Sequence, residues 1–229
     1  RTYIVNQVTQ SGQVEAGGFV PAGVYDAEGA TGDDFRTVGG DYYKPTDADY
    51  EANCEEARAL LAEAGYENGE GFPVVEYLYN TSDAHKAVAE ALQYMWEEEL
   101  GVKVTLNNQE WAAFLQTRKD GDYSIARNGW IADYNDPISF LDMWMTGGGN
   151  NDAQYSNEEY DSLIKEAKTT TDVKERMELL HKAEDKIIGE DNALAPLYFY
   201  TQKYMLADGI EGMYYCPLGY FFFGYTHQA

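Results

Sequence analysis

An α/β fold, a mixed sheet flanked by helices, is predicted by three features of the 229-residue sequence. Short β-rich runs alternate with apolar residues at helical spacing. One stretch of about 35 residues reads strand, helix, strand, the pattern of a parallel βαβ unit with a right-handed crossover. The composition, 44% hydrophobic and 24% charged, is that of a globular chain.

The elements follow in order. Residues 1–45 are rich in Gly, Pro and Tyr and lack periodicity, so they read as turns and loop. Thr46-Asp47-Ala48-Asp49 resembles a capping box. It precedes Ala57, Leu60, Leu61 and Ala64 at helical spacing, and Gly65 is the predicted stop. Nine acids and two bases between residues 41 and 70 fit a solvated helix face. Pro73–Tyr79 reads as a strand. Ser82 is the expected cap of a helix whose apolar face is Val88, Leu92, Met95 and Leu100, ended by Gly101. Val102, Val104 and Leu106 alternate as a second strand. A helix over 110–119 and a third strand over 123–130 follow, and all three strands are expected to be neighbours. Pro137 opens a short helix to Met145, and Gly147–Asn151 is a loop. Ser156–Glu159 caps a helix carrying Tyr160, Leu163, Ile164 and Ala167. The next helix carries Val173, Met177, Leu180, Ile187 and Ile188. Strands are expected at 194–200 and 203–206, before a tail crowded with Tyr and Phe.

Charge and cysteine content narrow the chemistry. Sixteen bases against forty acids give a net charge of −24, which disfavours nucleic acid and anionic membrane surfaces. No run of about 20 apolar residues is present, so no transmembrane helix is expected. Cys54 and Cys216 lack zinc-ligand spacing, and the reading favours free thiols over a disulfide. The chain opens at Arg1 rather than Met, which fits an excised or processed piece.

Catalytic templates fail. No G-x-S-x-G, H-E-x-x-H or phosphate-binding loop occurs. Asn150, Asp152 and Asp161 miss the calcium-loop spacing. Ser82, Asp83 and His85 are close in sequence, but a triad is built by geometry, and capping explains Ser82 better. His85 lies at a strand-to-helix junction, where α/β sheets place ligands. The segment Arg118–Pro137 is unusual in so acidic a chain. It sets Arg118, Lys119 and Arg127 against Asp120, Asp122 and Asp133, and interleaves Trp130 and Tyr134. A buried strand with a solvated turn accounts for that composition as well as a binding site does.

Gly129-Trp130-Ile131-Ala132-Asp133-Tyr134-Asn135-Asp136-Pro137 resembles the W-x-A-D-Y-x-x-P signature of the periplasmic oligopeptide-binding proteins of ABC importers, extracellular solute-binding protein family 5. Leu60–Tyr66, Leu78–Asp83 with His85, Asn108–Trp111, Thr117-Arg118, Ala126-Arg127 and Lys182–Glu184 agree in order and spacing. The resemblance implies one lobe of a type II periplasmic-binding-protein fold, the C-terminal lobe of a receptor about twice as long. Residues 1–205 would be the ligand-binding lobe, and 206–229 a tail returning to the absent N-terminal lobe. It implies oligopeptide binding without catalysis or cofactor, delivery to an ABC permease, and an extracytoplasmic location, in the periplasm or on the cell surface as a lipoprotein.

By the same resemblance, Asp133 beside Trp130 meets a peptide α-ammonium. Gly129 and Ile131 offer backbone groups to an added strand. Arg127, His85 and, more distantly, Arg118 meet the peptide carboxylate, Trp111 is a pocket wall, and Tyr134 stands beside Asp133. Ile131 departs from relatives that carry a disulfide-forming Cys there. The rival readings are another solute on the same fold (a sugar, a metal chelate or haem) and an α/β hydrolase or transferase.

Overall fold

The computed structural model describes residues 1–43, 49–216 and 218–229. The predicted cap at Thr46 lies outside them. The elements that carry the site are β1 (Val14–Glu15), α1 (Phe35–Gly39), α2 (Tyr50–Glu63), β2 (Val75–Asn80), α3 (Asp83–Leu100), β3 (Val104–Gln109), α4 (Trp111–Asp120) and β4 (Ile125–Ala126). They continue with α5 (Ile138–Leu141), α6 (Glu158–Thr169), α7 (Val173–Glu184) and β5 (Tyr198–Phe199), then β6 (Ile210–Glu211), β7 (Tyr214–Cys216), β8 (Tyr220–Phe222) and β9 (His227–Gln228). The α/β class is as expected. β2 is central in a parallel three-stranded sheet of order β3-β2-β4, so the three strands expected to be neighbours are neighbours. Antiparallel pairing occurs too, in the separate pairs β1-β5, β6-β9 and β7-β8.

β2 is buried at Tyr77, Leu78, Tyr79 and Asn80, as a central parallel strand must be. α3 lays Val88, Ala89 and Leu92 on this sheet, where they join Val104 and Ile4 in one apolar cluster. α3 ends where Gly101 turns left-handed at φ +66°. A side chain there would also run into the Asn68 carbonyl. A second cluster gathers Val20, Val24, Phe35, the helix-and-turn segment Ile138–Trp144, and the inner faces of α6 and α7. No helix among the described residues is long and apolar enough to cross a membrane.

Several elements differ from expectation. The first 45 residues are not all loop: Ile4–Thr9 forms a π-helical turn, and α1 and β1 follow. Leu60 and Ala64 are exposed, and Cys54 is the buried residue of α2, which packs on α3. Ser82 sits at the expected N-cap, just before Asp83, but its side chain makes no capping hydrogen bond. In α6 the capping acceptor is Asn157, which takes the Glu159 and Tyr160 N–H groups. The third strand is only Ile125–Ala126, and Leu194–Tyr200 pairs only at Tyr198–Phe199. Residues 203–206 form no strand, and Met205 is 96% exposed: alternation without a neighbouring strand makes no ladder. Both cysteines are free.

A buried ion pair ties the N-terminal segment to α7. Glu184 is fully buried, and its Oε1 accepts from Arg36 Nη1 at 2.8 Å and from the Phe19 and Val20 N–H groups, each at 2.8 Å. The fit requires Gly18, because a Cβ there would lie 1.8 Å from Arg36 Nη1.

Candidate functional site

A cleft of about 950 Å³ opens between the two apolar clusters. Tyr77, Val88 and Trp96 wall one side, Phe19, Phe140 and Trp144 the other. Of the residues singled out from sequence, His85, Arg118, Arg127, Gly129, Trp130, Ile131 and Tyr134 line it. Trp111 and Asp133 do not. Trp111 opens α4, half exposed and stacked on Phe114 at 5.7 Å.

Arg127 follows β4, and its N–H pairs with the Leu78 carbonyl of β2. That places it at the C-terminal end of a parallel strand, where such sheets hold ligands. Its guanidinium is half-buried and donates to Asn80 Oδ1 at 3.3 Å and Tyr200 Oη at 3.0 Å. Both partners are neutral, and no carboxylate, nearby Asp122 included, is paired with it among the described residues. Arg118 is different. It donates through Nε to Asp152 Oδ2 at 2.8 Å and through Nη1 to Asn128 Oδ1 at 2.8 Å, so its charge is already answered.

His85 lies in the first turn of α3, its Nδ1 3.3 Å from the Asn80 carbonyl. Burial, with the positive charge of Arg127 adding to it, holds the imidazole below its ordinary pKa against the pull of that carbonyl. The ring is therefore neutral at pH 7 while no anion is bound. Burial likewise pushes Tyr77 up to about 12 and raises Tyr198, so both phenols remain protonated. Asn80 and Tyr200 escaped the sequence reading. Asn80 carried one weak signal, its place at the end of a predicted strand. Tyr200 is 73 residues from Arg127 and carried none.

The stretch beyond Arg127 has backbone to spare. The N–H groups of Trp130, Ile131 and Ala132, and the carbonyls of residues 129–132, make no hydrogen bond among the described residues. The stretch is nevertheless held in place. Trp130 Nε1 donates to the Ser139 carbonyl at 2.7 Å, the Asp133 N–H donates to Ser139 Oγ at 3.1 Å, and Arg176 grips Asp136 with two bonds of 2.9 Å. The Asp133 carboxylate is exposed and has no partner among the described residues. A fixed row of open backbone groups thus runs between an unneutralised cation and an unpaired carboxylate. Among the described residues, no three His, Cys, Asp or Glu side chains are grouped to hold a metal.

Comparison with known proteins adds a family. The model of bacterial extracellular solute-binding proteins, family 5 middle, matches residues 1–152. The dipeptide-binding protein DppE of Bacillus subtilis is 38% identical over 219 residues, covering 95% of this chain and 38% of the relative. The periplasmic oligopeptide-binding protein OppA of Salmonella typhimurium is 37% identical over 212 residues, covering 93% of this chain and 37% of the relative. The crystal structure of Haemophilus influenzae OppA in complex with RPPGFSPFR superposes with a TM-score of 0.73 at 32% identity, over 92% of this chain and 39% of that one. The chain therefore spans under two fifths of the length of these relatives.

Proposed function

The chain belongs to the bacterial extracellular solute-binding proteins of family 5, and from that premise we propose that it is the ligand-binding lobe of a two-lobed receptor that captures oligopeptides outside the cytoplasm. The receptor would hand them to an ABC permease in the membrane, with no catalytic step of its own. Residues 1–205 would form the lobe, and 206–229 the tail that packs on the other lobe. The exposed aromatics of that tail, among them Tyr220, Phe223 and Tyr225, fit a surface made to be covered.

The observation that carries the peptide reading is the open backbone between Arg127 and Asp133. A peptide supplies the matching N–H and C=O groups, whatever its side chains, by adding as a strand. Its α-ammonium would meet Asp133 and its carboxylate Arg127, with His85 and the neutral phenols around it. The six residue steps from Arg127 to Asp133 span at most about 20 Å of extended chain, which suits a ligand of a few residues. Trp130 and Tyr134 would cover the ammonium end, and Gly129 and Ile131 would supply the backbone contacts. A neutral sugar would leave both charges unanswered.

Titration of this 229-residue chain and of the intact receptor with tri- to pentapeptides tests the one-lobe reading. The single lobe leaves the ion pairs solvated, worth about 1 kcal/mol or less each, and must still overcome the entropy of fixing a flexible peptide. The isolated chain, folded by circular dichroism, should give neither heat nor a tryptophan fluorescence change at micromolar peptide, where the receptor binds. Micromolar binding by the isolated chain would overturn that reading.

A further inference from the structure

Resting on the assignment of Arg127 to the peptide carboxylate, we propose that Tyr200 is a positioning residue: with Asn80, it holds the Arg127 guanidinium at the cleft wall without neutralising it.

The contrast with four of the other five arginines carries the argument. Arg36, Arg58, Arg118 and Arg176 each meet a carboxylate at 2.8–3.0 Å. In a chain with 40 acids that is the expected fate of a guanidinium. Arg127 instead has an amide oxygen on Nη1 and a phenol on Nη2. A carboxylate in either place would cancel the charge before a ligand arrived. Two neutral acceptors fix the planar fork and leave its charge and its remaining N–H donors for an incoming anion.

Tyr200 is itself held fast. The residues before it pair with β1, Phe199 opposite Val14 and Tyr198 opposite Glu15. The next residue, Thr201, donates its hydroxyl to the Gly12 carbonyl at 2.6 Å. The Tyr198 ring packs edge-on against the Tyr200 ring at 5.4 Å. Gly129 completes the fit, since a Cβ there would lie 3.1 Å from Arg127 Nη2 and 3.6 Å from the Tyr200 ring. The phenol is thus a fixed post, and the mobile partner is the long arginine side chain.

The test is calorimetry on the intact receptor with a tripeptide and its C-terminal amide. The wild type should prefer the free acid. Tyr200→Phe should lower affinity for the free acid by about 3- to 10-fold, the worth of one ordinary hydrogen bond. It should lower amide affinity by less and leave the melting temperature unchanged, so the preference shrinks. Asn80→Asp should shrink the preference at least as far, by placing a carboxylate on the fork. A Tyr200→Phe receptor that keeps its full preference, or that loses affinity equally for acid and amide, would overturn the proposal. So would an Asn80→Asp receptor with its preference intact. A wild type indifferent to amidation would instead sink the carboxylate assignment beneath it.

Discussion

Replacing Glu184 with alanine is expected to destabilise the fold by about 3–5 kcal/mol, the usual cost of removing one partner from a buried ion pair. The carboxylate is fully buried and serves one cation and two backbone N–H groups through a single oxygen. Truncation would leave Arg36, itself 8% exposed, with Asp41 at 3.6 Å as its remaining carboxylate and a 3.4 Å bond to the Val20 carbonyl, and would orphan both N–H groups. The intact pair is not a large net gain, because Glu184 Oε2 and Arg36 Nη2 find no hydrogen-bond partner among the described residues. The asymmetry between a modest pair and a costly half-pair makes the expected effect large. The surface pair Lys86–Glu90, more than half exposed on both sides, is the control: Lys86→Ala should change stability by under about 1 kcal/mol. Urea unfolding of the two variants reads both values. Equal midpoints would show that Glu184 anchors nothing.

Asp133→Ala should weaken binding of peptides with a free α-ammonium to the intact receptor by about 2–5 kcal/mol. Asp133 is exposed in this chain, and a solvated pair would be worth little. On the proposed reading, its value would arise when a second lobe closes and excludes water from an ammonium–carboxylate contact beside Trp130 and Tyr134. The loop is held in place. Ser139 Oγ holds the Asp133 N–H, and Asn135 exchanges bonds with Gly23 and Tyr25 across the chain. N-acetylation of the peptide should cost a similar amount on the wild type and almost nothing further on the variant, because the two changes remove one interaction. If acetylated and free peptides bind the wild type equally, Asp133 has another role.

Much of the frame was legible from spacing alone. α3, α6 and α7 carry apolar residues at helical intervals, and those residues are largely the ones that became buried. β2 and β3 lie where the β-rich runs predicted them. What was lost depends on partners distant in sequence. Ile4, Val20, Val24 and Phe35 enter the core from a segment with no periodicity, because tertiary contact rather than a repeating face buries them. The strand expected through Trp130 stops at Ala126, since beyond Arg127 no neighbouring strand of the described chain takes up its backbone groups. The site divides in the same way. Trp130 and Asp133 were marked by one local motif, and Arg127 and His85 by shorter matches in the same resemblance. Asn80 and Tyr200, which decide how Arg127 is held, reach it from 47 and 73 residues away, as Glu184 reaches Arg36 from 148.

The identity of the solute decides the account. The intact receptor should be purified under native conditions, without added ligand, and its bound small molecules released by denaturation and identified by mass spectrometry. The geometry between Arg127 and Asp133 predicts peptides of a few residues with both termini free and mixed side chains. A sugar, a haem, a metal chelate, or peptides blocked at either end, recovered as the bound species at one per receptor, would contradict it.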